Sequence, residues 1–266
     1  MTENIEDTRA GGDFFDLLER SDYKWQEFLN KLPVNGKSNV PQGTAVVAFH
    51  YADGVIVAGD RRIMAGSNLM FERCEKIIPV DEFSLMAVAG VPAIAFEISR
   101  ILSHYFEYYR RTQVRPMSLE GKIRAFSKLL KENLTASTSG LTRVSPIFAT
   151  YDVESGKPSI YYYDMLGAEF QVLSYTATGA GAGHIRDVLE RENQWGPKPL
   201  AERNEKDAAT IALRLLHIAA QMDFEKENSL MNDQIYPILA SVSENGYKFW
   251  SEEQLTQLDN ISREER

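Results

Sequence analysis

From residue 44 onward the apolar positions crowd into two short, nearly unbroken runs, 44–51 and 55–59, on either side of Asp53-Gly54. Asp-Gly between apolar runs is a hairpin turn signal. Runs that are apolar at successive positions imply strands covered on both faces. A second hairpin is predicted over 76–80 and 83–89, turning at Asp81-Glu82. The period then lengthens to that of a helix. Over 92–111 it aligns Ile94, Ile98, Ile101, Tyr105 and Tyr108 on one face, and a second helix over 118–135 opens on Ser118-Leu119-Glu120, a cap sequence. Strands return at 146–153, 159–164 and 169–175, separated by Glu154-Ser155-Gly156 and Leu166-Gly167. Helices over 182–192 and 205–222 precede a last hairpin, 237–242 and 247–250, that turns at Glu244-Asn245-Gly246. The charged tail 251–266 reads as a surface helix or a frayed end. Blocks of strands and blocks of helices argue for an α+β chain rather than alternating βαβ units. Antiparallel sheets apolar on both faces need a helix layer above and below. The expected architecture is therefore a four-layer α-β-β-α sandwich of two antiparallel sheets.

Residues 1–43 follow a different pattern. Phe14, Leu17, Leu18, Trp25, Phe28, Leu29 and Leu32 recur at roughly helical spacing, which predicts one amphipathic helix over 13–32. The stretch 33–41 holds Pro33, Gly36 and Pro41 and reads as an extended linker. A helix on a leash before the first strand suits a propeptide and equally an ordinary N-terminal arm. No Pro/Gly/Ser-rich break interrupts the chain between residue 44 and about residue 250, so 44–266 is expected to form one domain after the segment 1–43.

Composition narrows the function. A net charge of −9 with no basic stripe argues against nucleic acid as the partner. A single cysteine, Cys74, excludes an intramolecular disulfide and suits a reducing compartment. No apolar run approaches the ~18–20 residues of a membrane span. The acidic N-terminus (Glu3, Glu6, Asp7) lacks the basic start of a secretory signal. A cytoplasmic location is the expectation.

The candidate chemistry lies at Gly43-Thr44, with Asp60 and Lys76 downstream. A threonine that becomes the first residue of a chain carries its own base, because its freed α-amine sits beside the hydroxyl. That amine has an ordinary pKa of about 7.7–8.0, close to neutral pH. A hairpin turning at Asp53-Gly54 puts Thr44 opposite Arg62 or Ile63. Asp60 then lies within three residues along the partner strand, roughly 10 Å at ~3.3 Å per residue, a gap that the long side chain of Lys76 can bridge. Read without further context, the same Asp is a turn residue and the same Lys a solvated strand start.

Gly43-Thr44-Ala45-Val46-Val47-Ala48, followed by Asp53-Gly54-Val55-Ile56-Val57-Ala58-Gly59-Asp60-Arg61-Arg62, resembles the opening of a 20S proteasome β subunit of the bacterial, actinobacterial type. This is a family of N-terminal-nucleophile hydrolases. The placement of Asp60 and Lys76 relative to Thr44 agrees with the family pattern, as does Val88-Ala89-Gly90 at a strand end. The resemblance is specific from Gly43 to Gly90 and continues to about Trp250 through the order of elements. It implies a threonine endopeptidase, made as a zymogen, that cleaves itself at Gly43-Thr44 and then hydrolyses peptide bonds through an acyl-enzyme on Thr44. Lys76 would be the lysine beside the hydroxyl, and Asp60 the carboxylate that keeps this lysine charged. Arg62 would be the supporting arginine, the Gly90 N–H the oxyanion donor, and Asp223 the accessory aspartate. Ile63, Cys74, Ile78 and Val88 would line the pocket for the residue before the scissile bond, giving cleavage after hydrophobic residues. Without the family these four read as core side chains.

No cofactor and no metal is implied. The implied partners are homo-oligomeric, heptameric β rings, proteasome α subunits, a regulatory ATPase ring and unfolded protein substrates, with neither membrane nor nucleic acid. Two positions depart from the pattern: Ala180 and Lys226 stand where the family usually has serines that support the threonine amine. They keep open a catalytically weak or inactive structural β-ring subunit. A related self-processing amidase is a further alternative, against which Arg61-Arg62 speaks. Gly179-Ala180-Gly181-Ala182-Gly183 lacks the spacing of a dinucleotide loop, and His50, His104, His184 and His217 show no metal-site spacing.

Overall fold

The computed structural model describes residues 14–23, 42–43, 45–65, 68–136, 144–164, 166–179, 181–223 and 237–264. Two five-stranded antiparallel sheets form its centre. One contains β2 (Val46–Tyr51) and β3 (Gly54–Gly59), the hairpin expected about Asp53-Gly54, beside β11 (Tyr175–Thr178), β12 (Ile238–Ser243) and β13 (Gly246–Phe249), in the order β11-β2-β3-β12-β13. The other has the order β10-β9-β8-β7-β6, from β6 (Ile77–Asp81), β7 (Ser84–Gly90), β8 (Val144–Asp152), β9 (Lys157–Tyr163) and β10 (Glu169–Val172). A small third sheet joins β1 (Gln42–Gly43), β4 (Ile63–Ala65) and β5 (Asn68–Phe71).

The alternation of strand side chains explains the layering. Val46, Ala48, Val55 and Val57 point between the two sheets and meet Leu85, Ala87, Ile147, Ala149 and Ala240. Their neighbours Val47, Phe49, Ile56 and Ala58 point outward, against α4 (Ala182–Trp195) and α5 (Glu205–Asp223). On the other sheet Met86, Val88, Phe148 and Tyr163 face α2 (Pro92–Gln113) and α3 (Leu119–Ala136). Strands apolar at every position therefore sit between a sheet and a helix layer, as the sequence predicts, and the α+β four-layer sandwich is the observed fold. Gly54 is required by this packing, because a Cβ there would lie 2.1 Å from the Val242 carbonyl oxygen of the adjacent strand. Among the described residues no helix is long and apolar enough to cross a membrane.

Three details differ from the expectation. The run 169–175 is two strands, β10 and β11, which belong to different sheets. The chain crosses between them at Leu173-Ser174, and Leu173 is left 87% exposed. The helix expected over 13–32 is only α1 (Phe14–Arg20) within the described residues. Asp22 takes a left-handed conformation (φ 55°), and the Tyr23 N–H returns to the Leu18 carbonyl at 3.0 Å, a closed helix end; residues 24–32 lie outside the described residues. The β4–β5 hairpin has no counterpart among the predicted strands. The tail forms α6 (Glu252–Glu264).

Candidate active site

The antiparallel ladder of β2 and β3 sets the geometry. Val46 pairs with Gly59, which makes Asp60 the first residue past the strand. Its N–H donates to the Ala45 carbonyl at 3.3 Å. On the other side of residue 44, Gly43 in β1 pairs with Ile63 in β4. Both sequence neighbours of Thr44 are thus held against the segment 60–63. Thr44 itself lies outside the described residues.

Lys76 enters from the loop before β6. Its ammonium is paired with the Asp60 carboxylate, and its side chain is only 4% exposed, whereas that of Asp60 is 24% exposed. Burial pushes the lysine below its ordinary pKa, and the charge and hydrogen bond of Asp60 oppose that shift. The second Asp60 oxygen accepts the Arg62 backbone N–H at 3.2 Å. The loop that presents Asp60 is therefore closed on its own side chain. The Lys76 carbonyl accepts the Val88 N–H at 3.0 Å, which ties the lysine to β7 two residues before Gly90. Cys74 donates its N–H to the Arg61 carbonyl at 2.8 Å. Its thiol is pushed up by burial, against the lowering influence of the nearby Lys76.

Gly90 ends β7 with φ 123°, a conformation that side-chain-bearing residues rarely adopt, and leads directly into α2. Ile63, Cys74 and Val88 are buried, and Ile78 is half-buried against the α2–α3 side of the sheet. The structure thus gathers Asp60, Lys76, the Arg62 backbone and the Cys74 and Val88 segments around one loop cluster. Asp223 closes α5, and its side chain lies outside the described residues, as do Ala180 and Lys226.

One contact was not evident in the sequence. The Arg61 guanidinium lies 3.7 Å from Glu75 and 3.8 Å from Glu252 at the start of α6, so it links the Asp60 loop to the Lys76 segment and to the C-terminal helix. Arg61 and Glu252 are 191 residues apart in the sequence, and no local pattern marks them as partners.

Comparison with known proteins agrees with this frame. The profile of the family described as "Proteasome subunit" matches residues 40–231. The chain is 32% identical over 226 residues to a "Proteasome subunit beta" of Jonesia denitrificans, covering 85% of this chain and 72% of that one. It is 32% identical over 220 residues to a "Proteasome subunit beta 2" of Thermomonospora curvata, covering 83% and 76%. A "Proteasome subunit beta" of Streptomyces griseus is 28% identical over 234 residues, covering 88% and 81%.

Proposed function

The chain belongs to the proteasome subunit family, among the bacterial-type β subunits of the core particle, and from that premise we propose that it is a threonine endopeptidase whose nucleophile is Thr44. In the precursor the Thr44 nitrogen is an amide and cannot act as a base. The Thr44 hydroxyl attacks the Gly43 carbonyl, the chain passes to the oxygen as an ester, and water hydrolyses it. The product is a free amine beside a free hydroxyl. That amine then takes the hydroxyl proton as the oxygen attacks a substrate carbonyl. An acyl-enzyme ester forms, the substrate's amine half leaves, and water releases the rest.

The observation that carries this reading is the pairing of the buried Lys76 with Asp60 beside the backbone that flanks residue 44 on both sides. An ammonium held charged in a poorly hydrated pocket lowers the pKa of a nearby amine, because like charges disfavour protonation. It also stabilises negative charge developing on the hydroxyl oxygen. Asp60 is assigned the positioning of Lys76, and Arg62 the support of the loop. The Gly90 N–H is assigned the oxyanion, where one such donor contributes ~10²–10³-fold to turnover in other acyl-transfer sites. Asp223 is the accessory carboxylate. Ile63, Cys74, Ile78 and Val88 form the wall that selects a hydrophobic residue before the scissile bond. Assembly into heptameric β rings with α subunits, fed by an ATPase ring in the cytoplasm, completes the proposal.

Two variants test it. Thr44→Ala is expected to retain residues 1–43 and to leave a fluorogenic peptide uncut. Thr44→Ser, which keeps both groups on one residue, is expected to process itself and to retain measurable turnover. Peptide hydrolysis by an assembled Thr44→Ala particle overturns the assignment.

A further inference from the structure

Residues 14–23 do not stand free of the domain. Phe14 is 6% exposed, and its ring stacks on Tyr105 of α2 with centroids 5.3 Å apart, and lies 5.6 Å from that of Tyr108. Phe15 meets Tyr105 edge-on at 5.0 Å, and the Lys128 ammonium of α3 sits 4.0 Å over its ring. Nine residues on, the Tyr23 hydroxyl donates to Glu97 at 2.6 Å, and the Arg100 guanidinium lies 5.4 Å above the Tyr23 ring. The contacts run from Tyr105 and Tyr108 back to Glu97 and Arg100, so α1 lies antiparallel to α2. The left-handed turn at Asp22 brings Tyr23 down onto its acid–base pair.

The two ends of the segment thus use different chemistry, aromatic at one and charged at the other, on partners about two helical turns apart. Cation–π geometry and aromatic stacking favour a single register over general greasy contact. Tyr105 and Tyr108 belong to the apolar stripe of α2 and are half-buried, and the Phe14 ring lies against both.

We propose that the α2–α3 face is a docking site for an aromatic helix, and that residues 14–23 of the same chain fill it in cis, covering Tyr105 and Tyr108 for as long as the N-terminal segment is attached. Release of the segment uncovers this face together with Glu97 and Arg100. The docking does not depend on Thr44 chemistry, and its test is independent of that chemistry.

The test is hydrogen–deuterium exchange on the full-length Thr44→Ala chain, which carries the segment whether or not Thr44 is a nucleophile. Amides of residues 14–23 are expected to exchange at least about tenfold more slowly than in the same chain with Phe14→Ala and Phe15→Ala, the factor that 1.4 kcal/mol of docking gives. Tyr105→Ala is expected to release the same amides, while β2 and β3 remain protected in every variant. A synthetic peptide of residues 12–24 is expected to bind the double variant, whose face is vacant, and not the parent chain. Equal exchange in parent and double variant overturns the proposal. So does peptide binding that is indifferent to whether the face is occupied. Protection that falls on dilution shows the segment seated on a second copy and overturns docking in cis.

Discussion

At the scale of single residues the unequal burial of Lys76 and Asp60 makes a prediction. Removing one member of a buried ion pair strands the other, at ~3–5 kcal/mol when the stranded charge is fully buried. Lys76 is the deeper of the two. Asp60→Asn therefore strands an ammonium out of reach of water, whereas Lys76→Met strands a carboxylate that can still be hydrated. Denaturant unfolding is expected to show the larger loss for Asp60→Asn, of the order of 3 kcal/mol, and equal losses would contradict the burial argument. The lowered pKa of Lys76 adds a pH dependence. Between its folded value and the unfolded value of about 10.4, the unfolded chain binds more protons, so stability rises with pH across that alkaline window. The stability of the wild type relative to Lys76→Met is expected to increase as pH climbs towards that upper limit and to be flat below the window. Within the described residues, the meeting of Asp60 with Lys76 was legible in the sequence, because the family spacing marks both. The clasp from Arg61 to Glu75 and Glu252 was not, since it depends on where the C-terminal helix lands.

At the scale of elements the hairpins and helices follow from local signals, and the misreadings share one cause. Residues 169–175 look like one strand because nothing local distinguishes a strand from a crossover between two sheets. The pairing partners decide: Val172 faces Ile160 in one sheet and Tyr175 faces Phe49 in the other. The helix over 13–32 extended a periodic pattern through Asp22, a residue type that tolerates the left-handed turn and ends the helix there. The packing gives a quantitative contrast. Leu85 is fully buried between the sheets, whereas Leu173 at the crossover is 87% exposed. Leu85→Ala is expected to cost ~2–5 kcal/mol and Leu173→Ala within ~0.5 kcal/mol of nothing, both read from denaturant midpoints. Comparable losses at the two positions would mean that the sheets do not interdigitate as described.

At the scale of the whole molecule, two layers of helices and two of strands bring together loop ends that are distant in sequence. The loop after β3, the loop before β6 and the junction of β7 with α2 meet at one cluster, joined by the Asp60–Lys76 pair and by the Lys76–Val88 backbone bond. Rigid strands hold these loop ends in place, which suits catalytic groups that need fixed distances. Of the residues before Thr44, those described touch the sandwich at two places: α1 on the α2–α3 face, and β1 against β4 beside residue 44.

The central claim is that an unreactive hydroxyl gains its base only when the peptide bond before it is broken. Intact-mass analysis of the β chain isolated from the assembled particle tests this most directly. The expected mass is that of residues 44–266, with a new amino terminus at Thr44 that forms an adduct with a threonine-directed inhibitor. A particle whose β chain keeps residues 1–43, or begins at another residue, and still cuts peptides would contradict the account.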